Sequence, residues 1–369
     1  MIKTFTGEEK EVLLILDQSP KIGAKTLQKV AHHYKNALPK VLTDSSAVLK
    51  KFFDLKTVNL ILETRKNKLN KKIFTDCEIT PIFFGDKEYP PLLSEIFDPP
   101  MILYARGEFS ILKKLSISVV GSRKHTSYSN SVLEKLIPQF IESGIVIVSG
   151  LALGVDGLAH QLTLEDSGKT IGVLGCGVES IYPTSNRGLG IRMINSGGLI
   201  ISEFPPGTPP LKQNFPLRNR IIAGMSAGTL VVEARRDSGS LITAGLANEY
   251  GREVFAVPGN INSFASEGTN ELIKQGAKMV TAASDILVEL NLQFKTQVGT
   301  LIEAENQIEE AIFKSIELEG LAVDKIAKLT KLDIVTINSM MSIFEISGKV
   351  ERIEDKFKLK GKLKQKGVE

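Results

Sequence analysis

The chain has 369 residues, 42% of them hydrophobic and 24% charged, with a formal net charge of +4, the make-up of a soluble protein with two or three domains and a sizeable core. No stretch approaches the roughly 18–20 apolar residues of a membrane span, and the run Val12–Leu16, behind Glu8, Glu9 and Glu11, is too short for a signal peptide, so membrane insertion is not expected. The two cysteines, Cys77 and Cys176, lack CxxC or histidine ligand spacing, which argues against a zinc site or disulfide framework and fits a reducing, cytoplasmic setting.

Residues 1–75 read as short helices separated by polar breaks. Ser19-Pro-Lys-Ile-Gly-Ala-Lys-Thr-Leu-Gln-Lys-Val30 resembles the hairpin of a helix-hairpin-helix unit, with Gly23 in a left-handed conformation and amides open to a phosphate at the next helix. The same stretch equally reads as a plain packing turn between two helices. Arg65-Lys-Asn-Lys-Leu-Asn-Lys-Lys72 holds five basic residues in eight, a run that by itself is a solvated face. Residues 76–116 carry Tyr89-Pro-Pro91 and Asp98-Pro-Pro100, and read as a connector wrapped on the core with short extended pieces.

Residues 117–291 alternate buried strands with helices. The strand runs are Ile117–Val120, Ile145–Val148, Thr170–Leu174, Leu199–Ser202, Thr229–Glu233 and Glu253–Val257, with helical patterns such as Asn130–Glu142 and Leu241–Tyr250 between them. This alternation predicts an α/β fold, an extended Rossmann-like doubly wound sheet covered on both faces. Ligands of such a sheet sit outside the carboxyl ends of its strands. In residues 305–362, Ile308–Leu318, Val323–Leu329 and Ile334–Ile346 read as helices, followed by an alternating stretch, Lys349–Leu359, which together suggest a winged helix. Lys356, Lys358, Lys360, Lys362, Lys364 and Lys366 alternate toward and into a basic tail, 363–369, either adding phosphate affinity or forming a solvated end.

The strand ends hold the candidate chemistry. The first ends in Val119-Val-Gly-Ser-Arg-Lys124, where the Gly121-Ser122 turn offers backbone amides and Arg123 a fork suited to phosphate oxygens. The dinucleotide pattern GxGxxG is absent, and no cofactor is implied. The second ends in Ser149-Gly-Leu-Ala-Leu-Gly-Val-Asp-Gly-Leu-Ala-His160; Asp156 is read as capping the following helix, and its pairing with His160 as either capping and packing or a general base. Cys176 reads as small and buried. After the fourth strand, Lys212, Arg218 and Arg220 stand beside Phe215 and Asn219, the mixture of cations and an aromatic found where single strands bind. Ser238, Gly239 and Ser240 can donate to a phosphate or simply cap a helix.

In order, these segments resemble the motifs of the DNA-processing protein A (DprA/Smf) family: Gly-Ser-Arg, Ser-Gly-Leu-Ala-x-Gly-Val-Asp, Gly-Cys-Gly, Tyr-Pro-x-x-Asn, Ser-Glu-x-Pro, Phe-Pro-x-Arg-Asn-Arg-x-Ile, Val-Val-Glu-Ala, Ser-Gly-Ser-Leu-x-Thr-Ala and Val-Pro-Gly, over about 117–280. The resemblance implies a small all-α, sterile-alpha-motif or helix-hairpin-helix-like domain before the core and a winged-helix domain after it. It further implies a non-catalytic homodimer that coats and protects incoming single-stranded DNA and loads the RecA recombinase in natural transformation. The family's turn falls on Gly121, Ser122 and Arg123 and its basic pocket on Lys212, Arg218 and Arg220, with Arg187 extending it. Arg218 and Arg220 have a second reading, as internal partners of Glu203 or Glu233. A nucleotide hydrolase of related fold would carry Pro-Gly-Gly-x-Gly-Thr and a glutamate where this chain has Ala-Arg-Arg-Asp-Ser-Gly-Ser. A duplex-reading regulator is disfavoured because Asp333–Ser347 contains no lysine or arginine.

Overall fold

Thr6 and Glu9 close a capping box that starts the first helix, α1 (Gly7–Asp17): the Thr6 hydroxyl accepts from Glu9 N, and the Glu9 carboxylate accepts from Thr6 N at 2.9 Å. A computed structural model describes residues 4–19, 21–290, 301–302, 304, 306–316, 320–353, 355–359 and 362–363. They form two units, Met1–Gln293 and Phe294–Glu369.

In the first unit α1 is followed by α2 (Ala24–Tyr34), α3 (Ser46–Leu49), α4 (Leu55–Thr64) and α5 (Lys72–Asp76). Ser45 and Asp54 cap α3 and α4. On α2 the buried residues are Leu27, Val30 and Tyr34, the three- and four-residue spacing of an amphipathic helix. Gly23 has φ −84° and ψ 175°, so it is extended and not in the left-handed conformation expected of it. The turn needs no positive φ there.

The sheet begins inside the segment read as a connector. β1 (Thr80–Phe83), the short helix α6 (Pro91–Ser94) and β2 (Ile102–Gly107) precede the alternating core. Pro81 is tolerated in β1 because that strand lies at the sheet edge, where a missing N–H breaks no ladder. The core continues as β3 (Ser116–Val120), α7 (Ser127–Glu142), β4 (Val146–Ser149), α8 (Val155–Glu165), β5 (Thr170–Val173), α9 (Arg187–Asn195), β6 (Leu199–Ser202), α10 (Asn214–Gly224), β7 (Gly228–Val231), α11 (Gly239–Glu249), β8 (Glu253–Ala256), α12 (Glu267–Lys274), β9 (Lys278–Met279) and α13 (Ala283–Glu289).

The nine strands run in the order β1-β2-β6-β5-β4-β3-β7-β8-β9. β3 to β9 are parallel, and β2 joins β6 antiparallel. The chain walks from β3 outward to β6, then returns to β7 on the other side of β3. Crossovers of one hand put α7, α8 and α9 against each other on one face, and α10 against α11 on the other. The reversal leaves the ends of β3 and β7 side by side, with Val120 opposite Val231. A single apolar cluster runs from Leu13, Leu16, Leu27 and Ile61 into Met101, Tyr104, Leu174 and Ile200. The N-terminal helices and the sheet therefore share a core.

The second unit contains β10 (Leu301–Ile302), α14 (Gln307–Ile316), α15 (Val323–Thr330), α16 (Ile334–Ile346), the antiparallel pair β11 (Val350–Ile353) and β12 (Lys356–Leu359), and β13 (Lys362–Leu363). Its core gathers Phe313, Ile326, Met341, Phe344 and Phe357. Leu318, Lys360, Lys364 and Lys366 lie outside the described residues, as does the tail 363–369 beyond Leu363.

One buried polar link joins the helices to the sheet: the Tyr104 hydroxyl on β2 donates to the Asp17 carboxyl at the end of α1, at 2.6 Å. Burial pushes Asp17 up from 3.8 to about 7, with the Tyr104 bond opposing and the Glu203 charge adding to the rise. Below that value the folded carboxyl keeps its proton, while the unfolded one has lost it from about pH 4 upward. Unfolding thus releases a proton between the two, and stability falls as pH climbs from 4 to 7. Asp17→Asn removes this loss. In urea titrations at pH 4.5 and pH 8, the variant should gain on wild type between the two by about 3 kcal/mol; an equal gap at both would refute the assignment.

Candidate nucleic-acid interface

A cleft of 680 Å³ opens where the strand order reverses, at the carboxyl ends of β3, β4 and β7. The loop after β3 forms one wall and is pinned at both ends by Glu233. Ser122 N donates to the Glu233 carbonyl at 2.7 Å. Thr126 donates its N–H and its hydroxyl to the Glu233 carboxylate at 2.8 and 2.7 Å, and Ser129 adds a third bond at 2.7 Å. Between these anchors stand Arg123 and Lys124, both exposed. Among the described residues neither side chain has an ion pair.

The opposite wall comes from the start of α10 and the loop before it, with exposed Lys212 and half-buried Phe215. The Phe215 ring lies 5.8 Å from that of exposed Tyr182. Ser238 caps α11, accepting from Ser240 N and sharing a 2.7 Å hydroxyl contact with Ser240. Gly154 has φ +82°, and a side chain there would strike the Ser122 carbonyl; glycine lets the two loops meet.

Arg218 forms the floor. It is 4% exposed, donates to the Gly150 carbonyl at 2.6 Å and to that of Val173, and reaches Asn219 at 3.2 Å. Burial draws it down to about 10, nearby Asp156 opposing, so it remains charged at neutral pH. Asp156 lies inside the first turn of α8, and its carboxylate accepts from Gly150 N at 3.1 Å; it is not the cap, a position Gly154 holds. His160 is buried against Thr170 at 2.6 Å, and burial drives its pKa down to about 3. Cys176 is buried, its thiol on the Ser180 carbonyl.

The cleft brings together Gly121, Ser122, Arg123, Lys212 and Arg218 with Ser238, Gly239 and Ser240. It does not bring in Arg220 or Arg187. Arg220 is 8% exposed, donates to the Asp98 carbonyl at 2.8 Å and pairs with Glu203. Arg220, expected to hold phosphates, is thus paired with Glu203, the partner that the sequence also allowed, whereas Arg218 lines the cleft while its Nε and Nη1 donate inside the chain. Arg187 is exposed at the start of α9, away from the cleft lining. Sequence reasoning leaves Lys124, Arg235 and Tyr182 out of the site, although all three line it. Lys124 directly follows the Gly-Ser-Arg turn, and that adjacency is the signal that could have found it.

The model of the family described as DNA recombination-mediator protein A matches residues 80–291. The chain belongs to that family. It is 44% identical over 220 residues to the DNA processing protein DprA of Bacillus subtilis, covering 58% of this chain and 74% of that one. It is 47% identical over 204 residues to DprA of Streptococcus pneumoniae, covering 55% and 72%. The X-ray structure of S. pneumoniae DprA aligns with a TM-score of 0.67 at 35% identity, over 78% of this chain and 99% of that one. A Helicobacter pylori DprA structure, described for its single-stranded DNA binding mode, aligns at 0.52 and 32% identity, over 58% and 96%. The family match spans the cleft and the strands that carry it.

Two substitutions separate anchoring from surface charge. Arg220→Ala leaves Glu203 buried without its cation, and chemical denaturation should show a loss of about 3–5 kcal/mol; a loss below about 1 kcal/mol would contradict the pairing. Glu233→Gln keeps the size but turns an amide donor toward the donors of Thr126 and Ser129. Amide exchange across residues 121–129 should accelerate in a protein that still melts cooperatively, and unchanged exchange would show that the carboxylate does not hold the loop.

Proposed function

We propose that this chain is a non-catalytic single-stranded-DNA-binding protein, the strand's phosphates held by the Gly121–Ser122–Arg123 turn and Lys212. One observation carries the reading: exposed Arg123, Lys124 and Lys212 face the same cleft, beside aromatic rings, at the strand reversal of a parallel sheet. Cations without partners serve phosphates, and exposed ring faces such as that of Tyr182 serve bases of any sequence. Arg218 adds charge from beneath, and Ser238, Gly239 and Ser240 add polar groups at the start of α11. The non-catalytic reading is supported by Asp156 and His160, which are engaged with Gly150 and Thr170.

Family membership and the single-stranded DNA binding described for the H. pylori relative support the same partner here. In this reading the chain is a cytoplasmic homodimer that protects incoming DNA and loads RecA recombinase during transformation. Joining two clefts raises avidity for a long strand without any new contact. The proposed domain plan keeps residues 1–75 as a helical sterile-alpha-motif or helix-hairpin-helix-like domain, 76–116 as a connector, 117–291 as the Rossmann-like core and 305–362 as a winged helix. Three helices and an antiparallel pair support that last assignment. Without lysine or arginine on α16, it is not a reader of the major groove.

Fluorescence anisotropy with labelled oligothymidine and a duplex, across a salt series, tests the reading. Wild type should prefer the single strand. Arg123→Ala and Lys212→Ala should each weaken binding about tenfold and lower the salt slope by about 0.7, with unchanged melting. Equal binding of both DNA forms, untouched by either substitution, would overturn it.

A further inference from the structure

Positive charge is unevenly spread along the chain. Residues 1–76 hold 15 lysines and arginines against 8 aspartates and glutamates, a net +7, leaving −3 for residues 77–369. The core that carries the cleft is thus not where the chain's excess positive charge lies.

Part of that excess is ordered on one side of α2. Lys25 and Lys29 lie one turn apart on the helix, about 6 Å along the axis, and Lys21 stands in the turn before it. All three are exposed. Three other lysines of the same region are paired: Lys10 with Asp86, Lys71 with Glu11 and Lys72 with Asp76. Among the described residues, Lys21, Lys25 and Lys29 have no such partner. A regular row of unpaired cations suits a repeating polyanion better than a single small ligand.

A second cleft, of 600 Å³, lies beside this row. One wall is the start of α2, Lys25 included, and the other includes Phe204, Pro205 and Leu211. Leu211 and Gln213 line this cleft, while Lys212 between them lines the first, so the segment is a partition shared by both. The acids of the second cleft are engaged: Asp17 with the Tyr104 hydroxyl, and Asp98 and Glu203 with Arg220. Arg220 offsets one of the two charges of Asp98 and Glu203, so these acids oppose a passing strand by less than the three lysines attract it.

We propose that a single strand held in the first cleft continues past Lys212 through the second and lays its phosphates along Lys21, Lys25 and Lys29. The N-terminal helices are then a second, sequence-independent surface for single-stranded nucleic acid. The inference rests on the single-strand reading of the first cleft and extends it to a length dependence. Short strands need the sheet alone, whereas long ones need both surfaces.

The test uses the full chain and oligothymidines of about 6 and about 30 nucleotides, lengths on either side of a single groove's reach. The variant carries Lys21→Ala, Lys25→Ala and Lys29→Ala together; among the described residues no ion pair depends on these side chains, so its melt should match wild type. Six-nucleotide binding should be unchanged. Thirty-nucleotide binding should weaken about tenfold, with the salt slope lower by about 2, three contacts at about 0.7 each. The matching triple arginine variant, which keeps the charge, should bind both lengths like wild type. Long-strand affinity and slope equal to wild type in the alanine variant would overturn the proposal and assign the lysine row to another partner, such as an acidic protein. That result leaves the first cleft's reading intact, whereas wild-type protein that binds neither length sinks both.

Discussion

Two backbone carbonyls, at Gly150 and Val173, turn toward one buried guanidinium, that of Arg218. They lie at the ends of the neighbouring strands β4 and β5, just past the last pairing between those two, Ser149 with Gly172. A guanidinium presents several donors in one plane, so a single side chain from α10 ties both strand ends and its own helix together. The arrangement constrains its surroundings: a side chain at Gly150 would run into the guanidinium. It also leaves a cation below the cleft, where the field of a buried charge is less screened than at the surface. A residue that holds the scaffold thereby also adds to the attraction of an anion.

Arginines in this site accordingly divide by what they face. Arg218 and Arg220 face carbonyls and carboxylates of the chain, and their removal costs the fold. Arg123 and Lys124 face solvent from a loop that is tied at both ends, and Lys212 faces them from the partition between two clefts. Pre-ordering matters for the second group. A loop already fixed by Glu233 loses little freedom when a phosphate arrives, so more of each charge contact survives as affinity.

Much of this is legible in the amino-acid sequence. Short Val- and Ile-rich runs mark six of the seven parallel strands of the core, and their ends point to Gly121, Arg123 and Lys212. β1, β2 and β9 leave no such mark, for physical reasons. β1 is an edge strand that tolerates Pro81, β2 joins antiparallel from a proline-rich segment, and β9 has only two residues. The roles of Arg218 and Arg220 lie beyond a sequence pattern, because an arginine reads the same whether exposed or enclosed. Burial is decided by distant partners, Val173 and Glu203. Gly23 shows the opposite error, a glycine credited with a left-handed conformation that its turn does not use.

Glu233 poses the remaining question, why a buried carboxylate stands beside a site for anions. It is 2% exposed, and its carboxylate accepts from neutral groups, Thr126 and Ser129. A negative charge here opposes the phosphate it helps to place, so local electrostatics alone would select against it. The geometry of its neighbours selects for it. Thr126 N–H can only donate, and the Thr126 hydroxyl already accepts from Tyr128 N as the cap of α7, which leaves it a donor as well. Donors converging on one point need an acceptor with several lone pairs, which a carboxylate offers and an amide does not. The charge is the consequence of that requirement, and it is spread over three hydrogen bonds below the loop. Arg123 and Lys124, above it and unpaired, set the sign that an incoming strand meets.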